Sequence, residues 1–539
     1  MGKAWMKSWP ERIPQNLAYP EVSLPEILRS VAKKHPNSTA LIFQEKIITY
    51  QEFDDLCDRF ALSLMRLGMR KSDRLALFMP NIPQFPICYF GAMRAGATVV
   101  PVSPLYRERE LQFQLKDSGA KTIVALDTLH SYLASIRQKT DVKNVIVTNL
   151  LDCVKTNGEV KPAQLPNTLP LGDLLKSRRG MPSKVAFSVQ RNPALLQYTG
   201  GTTGVPKAAV LTHYNLVVNA IQFGSWLPSL QDGREVVLAA LPLFHIFGMT
   251  TALNMPILKA ESIVLLPKFE ALQALKTIQR HHVTFFPGVP AMYIALINHP
   301  QTSEFNLRAL RLCISGGSSL PVEVMRRFEA LTKAKLVEGY GLTEASPVTH
   351  CNPASGPEGV RPGSIGLPLP DTDAKIVDIE NGEKEMPVNE AGELIVRGPQ
   401  VMACYWNKPD ETNYALRHGW LYTGDIAKMD EEGYFYIVDR KKDMINVSGF
   451  KVWPREVEEV LYEHPAVKEA AVVGTADPRR GETVKAHIVL KDNLEVTEEQ
   501  IIQFCKSKMA TFKVPTKVEF AKELPKTPVG KVLRRALRN

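Results

Sequence analysis

The chain has no cysteine pair at CxxC spacing and no histidine at metal-ligand spacing. Its seven cysteines, Cys57, Cys88, Cys153, Cys313, Cys351, Cys404 and Cys505, are odd in number and scattered over 539 residues. That pattern argues against a disulfide framework and a structural zinc site, and a reducing compartment is expected. A basic block is also missing. Lys and Arg total 66 against 56 Asp and Glu, a net charge of +10, but the signs are mixed along the chain, so anionic ligands are expected and nucleic acid is not. No internal repeat or low-complexity run is visible. The start lacks the apolar core of a secretory signal, and Met6 stands where a myristoylation motif wants Ser or Thr. The end, Leu537-Arg538-Asn539, is neither a peroxisomal nor a prenylation signal. A cytoplasmic location is the expectation, with peripheral contact at the inner face of a membrane and a homodimer both left open.

One stretch, residues 236–258, carries no Asp, Glu, Lys or Arg and is long enough to cross a bilayer. Pro242 and Pro256 interrupt it, and His245, Gly248 and Asn254 would need partners inside lipid. A buried strand, turn and helix is expected instead.

What is present is material for several packed cores, since 45% of the residues are hydrophobic. From about residue 23 to 266, apolar runs such as Ala40-Leu-Ile-Phe43, Arg74-Leu-Ala-Leu-Phe78, Ala97-Thr-Val-Val-Pro101 and Thr122-Ile-Val-Ala-Leu126 alternate with helical stretches at 50–67 and 107–118. This alternation predicts an α/β protein with largely parallel sheets. A second round, with strands near Val283-Thr-Phe-Phe286, Leu312-Cys-Ile-Ser315 and Lys335-Leu-Val-Glu338, suggests two similar α/β subdomains. After Gly363, short strands with turn signals predict a small antiparallel β region, as in Ala374-Lys-Ile-Val-Asp378, Gly392-Glu-Leu-Ile-Val-Arg397 and Tyr434-Phe-Tyr-Ile-Val438. The charged run Asp439-Arg-Lys-Lys-Asp443 then separates a compact α+β tail, giving a large N-terminal domain over 1–440 and a small one over 441–539.

The most informative segment is Tyr198-Thr-Gly-Gly-Thr-Thr-Gly-Val-Pro-Lys207, between the apolar runs Ala194-Leu-Leu196 and Ala208-Ala-Val-Leu211. Glycines let backbone N–H groups approach an anion, hydroxyls add donors, and Lys207 adds a point charge, so phosphate is the natural guest. It is not a Walker loop: Pro206 precedes the lysine where glycine is required, and Ala208 follows where Ser or Thr should hold magnesium. Further segments stand in order along the chain: Ser315-Gly-Gly-Ser-Ser-Leu-Pro321, Glu338-Gly-Tyr-Gly-Leu-Thr-Glu344, Gly419-Trp-Leu-Tyr-Thr-Gly-Asp425, Ser448-Gly-Phe-Lys-Val-Trp-Pro454 and Pro525-Lys-Thr-Pro-Val-Gly-Lys531. Each alone is compatible with an ordinary turn or a solvated linker.

Together, and over essentially the whole chain, they resemble the adenylate-forming superfamily, its acyl-CoA synthetase branch, and within that the long-chain fatty-acid-CoA ligases. The resemblance implies a phosphate cradle of Thr199, Gly200, Gly201, Thr202, Thr203, Gly204 and Lys207, and an adenosine wall at Gly316, Gly317 and Ser318. Glu338, Gly339, Tyr340 and Gly341 fall in the nucleotide segment, with Tyr340 stacking on adenine, Thr343 at the α-phosphate, and Glu344 sharing Mg2+ with Thr199. Asp425 and Arg440 are implied at the ribose, Lys442 as the hinge of a mobile tail, Ser448, Gly449 and Phe450 along the CoA channel, and Lys531 as the catalytic lysine. The acyl pocket is placed among Phe244, His245, Phe247, Gly248 and Gly288, near Ala345 and Ser346. His245 reads equally as a group closing that pocket at the carboxylate or as a core histidine. Two departures stand out: Ala208 replaces a usual glycine, and Asn446 a frequent second lysine.

The implied activity is ATP-dependent activation of a medium to long fatty acid as acyl-AMP, followed by thioester formation with coenzyme A. Other readings are an aryl-CoA ligase of the coumarate type, an enzyme loading a carrier protein, and an acyl-binding regulator without catalysis.

Overall fold

The computed structural model describes residues 3–150, 152, 165–176, 180–199, 206–354, 359–448, 450–477, 480–492, 494–527 and 531–538. Among them, the α/β expectation takes the form of two large sheets. The first is eight-stranded, with Arg74–Phe78 and Thr98–Val102 at its centre and a parallel interior. Its edge turns antiparallel where Pro193–Thr199 pairs with Lys207–Thr212. The second is nine-stranded, and its parallel interior runs from Lys335–Gly341 through Leu312–Ser315, Phe285–Gly288, Val236–Ala239 and Ser262–Leu265 to Thr39–Phe43. Helices cover strands on both faces, so Thr98–Val102 and Thr122–Leu126 are buried at every position, which is why they read as unbroken apolar runs.

Local signals set the helix starts. Thr49 caps the helix Tyr50–Arg66 by accepting from the Glu52 N–H at 3.2 Å, while the Glu52 carboxylate returns to the Thr49 N–H at 2.9 Å. Thr212 and Asn215 form the same box at the helix His213–Trp226, directly after the strand that begins with Lys207. The uncharged stretch 236–258 is a strand, a turn and a short helical run with a π segment at Thr250–Asn254. Among the described residues, no helix is long and apolar enough to cross a membrane.

The β region is an antiparallel sheet of Asp373–Val377, Gly392–Arg397, Trp420–Met429 and Leu416–Arg417, with Phe435–Arg440 also paired to Trp420–Met429. Beyond the 3-10 turn Lys441–Asp443, the tail forms its own sheet around Val467–Asp477 and Gly481–Leu490. Its separate apolar core includes Val457, Leu461, Val472, Val484 and Ile501.

Candidate active site

In the nine-stranded sheet the neighbouring strand ends align in register, Gly288 with Ser315 and Ser315 with Glu338, so three glycine-bearing segments leave the sheet side by side. Ligands of open α/β sheets gather at such carboxyl ends. The wall glycine Gly316 lies against the apolar segment: a Cβ there would stand 2.9 Å from Phe247 Cζ. Gly341 has even less room, since a Cβ would meet the Pro347 carbonyl oxygen at 2.2 Å, which only glycine avoids. Glu338 is buried. Its Oε1 accepts from the Leu320 N–H at 3.2 Å, its Oε2 has no hydrogen-bond partner, and burial pushes the carboxyl up to about 7 against the pull of Arg455.

Tyr340 donates its hydroxyl to Asp425 Oδ2 at 2.6 Å and presents its ring to His350, 6.0 Å between centroids. Antiparallel pairing sets Asp425 opposite Arg440, whose Nε lies 3.1 Å from Asp425 Oδ1, an ion pair without hydrogen-bond alignment. Asp425 is only 5% exposed, so this carboxylate is held between a phenol and a guanidinium.

Lys531 approaches the same place from the tail. Its turn is closed by the Thr527 N–H donating to the Lys531 carbonyl at 2.7 Å and the Lys531 N–H donating to Thr527 Oγ1 at 3.1 Å. The charge of Arg440, then desolvation, hold its amine down to about 7 in spite of Asp425. Lys531 in turn acts on His245, which burial first and that charge second lower to about 4. His245 Nδ1 accepts from the Phe247 N–H at 3.3 Å, and the imidazole is neutral at pH 7. Phe244 and Phe247 flank it, the Phe244 carbonyl accepting from Gln197 Nε2 at 3.0 Å. Gly248 sits under the Pro242 carbonyl, 2.5 Å from where its Cβ would lie.

Around the phosphate loop, Thr199 ends its strand opposite Lys207, and Tyr198 donates to Asp117 at 2.6 Å. Residues Gly200, Gly201, Thr202, Thr203 and Gly204 lie outside the described set. Lys207 is ion-paired with Glu411 and stands 5.5 Å from the ring centroid of Tyr405. Tyr405 donates its hydroxyl to Glu344 Oε1 at 2.5 Å, linking the loop lysine to the half-buried turn that carries Thr343 and Glu344. No group of three or more His, Cys, Asp or Glu side chains able to hold a metal occurs among the described residues.

The structure thus brings together Glu338, Tyr340, Asp425, Arg440, His245 and Lys531, with Gly316, Gly339 and Gly341 as close-packed backbone, while Gly317 and Ser318 continue the wall. Ser448 and Phe450 are grouped with the tail: the Ser448 N–H donates to the Arg480 carbonyl, and Phe450 stacks on Phe512 at 4.7 Å. Gly449 and the Lys442 side chain lie outside the described residues. Sequence reading missed Tyr405, Glu411 and Arg534, whose partners are remote along the chain.

The chain is similar to known proteins over nearly its whole length. Residues 28–406 match the AMP-binding enzyme family, and residues 456–531 match the AMP-binding enzyme C-terminal domain. A long-chain-fatty-acid–CoA ligase of Bacillus subtilis (strain 168) is 43% identical, covering 99% of this chain and 97% of the relative. One from Yersinia pestis is 40% identical, covering 100% and 98%. The crystal structure of an anthranilate CoA ligase in complex with anthranoyl-AMP superposes with a TM-score of 0.88 at 28% identity, covering 96% of this chain and 97% of that one. A Mycobacterium tuberculosis fatty acyl CoA synthetase gives 0.73 at 30% identity, covering 96% and 97%. The chain belongs to the AMP-binding enzyme family, as an adenylate-forming acyl-CoA synthetase.

Proposed function

We propose that the chain activates a medium to long fatty acid with ATP and passes it to coenzyme A, and that Lys531 serves the first half of this reaction. The observation that carries the reading is the meeting of Lys531 with Asp425, Arg440 and His245, groups from distant parts of the chain converging on one place, where Asp425 is buried and the other three are half-buried.

Asp425 accepts from the ribose hydroxyls in place of Tyr340, a two-oxygen acceptor facing two donors. Tyr340 offers its ring to adenine and Glu338 its buried carboxyl to the base edge. Fatty acid enters along Phe244, Phe247, Gly248 and Gly288, where neutral His245 adds no charge to the apolar lining. Each buried CH2 contributes about 0.8 kcal/mol, which favours an aliphatic chain over acetate. The acid's carboxylate attacks the α-phosphorus of ATP and pyrophosphate leaves. A polyanion beside Lys531 favours its ammonium form, which orients the carboxylate and offsets charge growing on the phosphate.

The oxygen donors of Glu344 and Thr199 suit a hard cation completed by phosphate oxygens, so Mg2+ would be held there and neutralise the triphosphate. The tail then turns about Lys442, withdrawing Lys531 and bringing Ser448, Gly449 and Phe450 to the site for CoA.

The test is CoA-dependent AMP release with ATP and Mg2+ across acids from acetate through long-chain fatty acids to coumarate. A rate that peaks on fatty acids and disappears in Lys531→Ala is expected. Adenylate without thioester would move the acceptor away from CoA, and no turnover on any acid would overturn the reading.

A further inference from the structure

Asp439 is the last acidic residue before the hinge turn Lys441–Asp443, and its side chain is 1% exposed. It accepts three hydrogen bonds. One comes from its own neighbour, the Arg440 N–H, at 2.7 Å. The other two come from the tail: the Arg455 N–H at 2.8 Å and Arg534 Nη1 at 3.0 Å. Arg455 adds a second crossing, its guanidinium donating to the Ile437 carbonyl at 2.5 Å.

Any rotation about Lys442 carries residues 443–539 away from Asp439, so both tail contacts must break together. The two sides fare differently when they do. Arg534 is also held by Glu458 of the tail helix Pro454–Tyr462, through bonds of 2.8 and 2.9 Å that travel with it. Asp439 retains only its neighbour and becomes solvated. Breaking a buried ion pair is costly chiefly because a charge is left unpaired, and here neither charge is: one keeps a carboxylate and the other gains water. The contact is therefore firm when made and cheap to release.

Arg534 also stands three residues beyond Lys531, in the same tail segment whose turn is closed on Thr527, with the Leu533 N–H donating to the Pro525 carbonyl at 2.8 Å. Fixing Arg534 on Asp439 fixes where Lys531 points, next to Arg440.

We propose that Asp439 is a latch that holds the tail in the adenylate-forming pose by pairing with Arg534 and Arg455 across the hinge, and so positions Lys531 without touching substrate. This rests on the reading above that the tail turns about Lys442. The latch sets the balance between the two poses, so its loss affects one half-reaction and spares the other.

The experiment uses full-length Asp439→Asn, which keeps the side-chain shape and removes the negative charge that pairs with Arg534. Fatty-acid-dependent exchange of ATP with pyrophosphate reads the first half, and CoA-dependent consumption of preformed acyl-adenylate reads the second. Exchange should fall by about tenfold, within the span of a contact that biases two states, while adenylate consumption stays within roughly twofold. Trypsin should also cut faster after Lys441 at an unchanged Tm. Equal losses in both halves, no loss in either, or unaltered cleavage would each overturn the latch. Lys531→Ala separates this from the reading beneath it: exchange intact in that variant defeats the role given to Lys531, whereas exchange intact in Asp439→Asn alone defeats only the latch.

Discussion

Replacing Glu261 by Gln should make the protein more stable at neutral pH and change how its stability depends on pH. Glu261 lies at the amino-terminal end of the strand Ser262–Leu265, away from the strand ends that build the site, and is fully buried. Neither carboxyl oxygen has a hydrogen-bond partner, whereas its backbone is bonded on both sides, the N–H donating to the Pro256 carbonyl at 2.9 Å and the carbonyl accepting from the Tyr50 hydroxyl at 2.7 Å. Lys259, Glu235, Asp232 and Arg311 surround it, and burial outweighs the cations, raising the carboxyl from 4.5 to about 8. The folded protein therefore binds a proton that the unfolded chain releases between these values. Stability contributed by this group is flat below pH 4.5, falls by about 1.4 kcal/mol per pH unit as pH rises toward 8, and is flat again above. At pH 7 the cost is about 3 kcal/mol, which for a cooperative unit of roughly 400 residues is about 4 °C in Tm. Calorimetry of both proteins from pH 5 to 8.5 should give curves that nearly coincide at the acid end and separate by that amount at neutral pH. Parallel curves would refute the reasoning, because they would mean Glu261 titrates alike in the folded and unfolded states.

Lys531 should react as an amine of about 7 in the free enzyme. Its folded value is lowered from 10.5, so the neutral, nucleophilic form prevails above pH 7, and labelling with acetic anhydride followed by mass spectrometry should show an inflection there that ATP suppresses. Inflection near 10 would refute it. Two glycine variants should part company: Gly316→Ala pushes on the movable Phe247 ring and should shift preference toward shorter acids while retaining exchange activity, whereas Gly341→Ala collides with the fixed Pro347 carbonyl and should lose nucleotide binding. Chain-length profiles and ATP titration distinguish these outcomes.

Much of the fold was legible because its signals are local. Parallel strands buried on both faces produce uninterrupted apolar runs, as at Thr98–Val102, and the capping box at Thr49 and Glu52 marks a helix start within four residues. Strand limits shifted slightly: the run expected at 434–438 is paired over Phe435–Arg440, because pairing with Trp420–Met429 continues to Asp425 and Arg440. The π segment Thr250–Asn254 left no trace in the periodicity, since its Thr250 hydroxyl is bound to the Ser346 carbonyl at 2.7 Å, a tertiary contact. Within the site, motif residues could be named but their partners could not. Tyr405 reaches Glu344 across 61 residues, Arg534 reaches Asp439 across 95, and Glu411 reaches Lys207 across 204. Such pairs depend on how sheets and tail come together, which no window of sequence contains.

The pairing of Lys207 with Glu411 has a further consequence for how nucleotide is admitted. On the proposed reading a phosphate must displace a carboxylate already in place, so the loop lysine contributes the difference between two anions and not the whole attraction of one. Adenosine, with no phosphate to offer, leaves Glu411 where it is. The loop thereby acts as a turnstile that charge alone can turn, and ATP binding should depend less steeply on ionic strength than the number of cations around it would suggest.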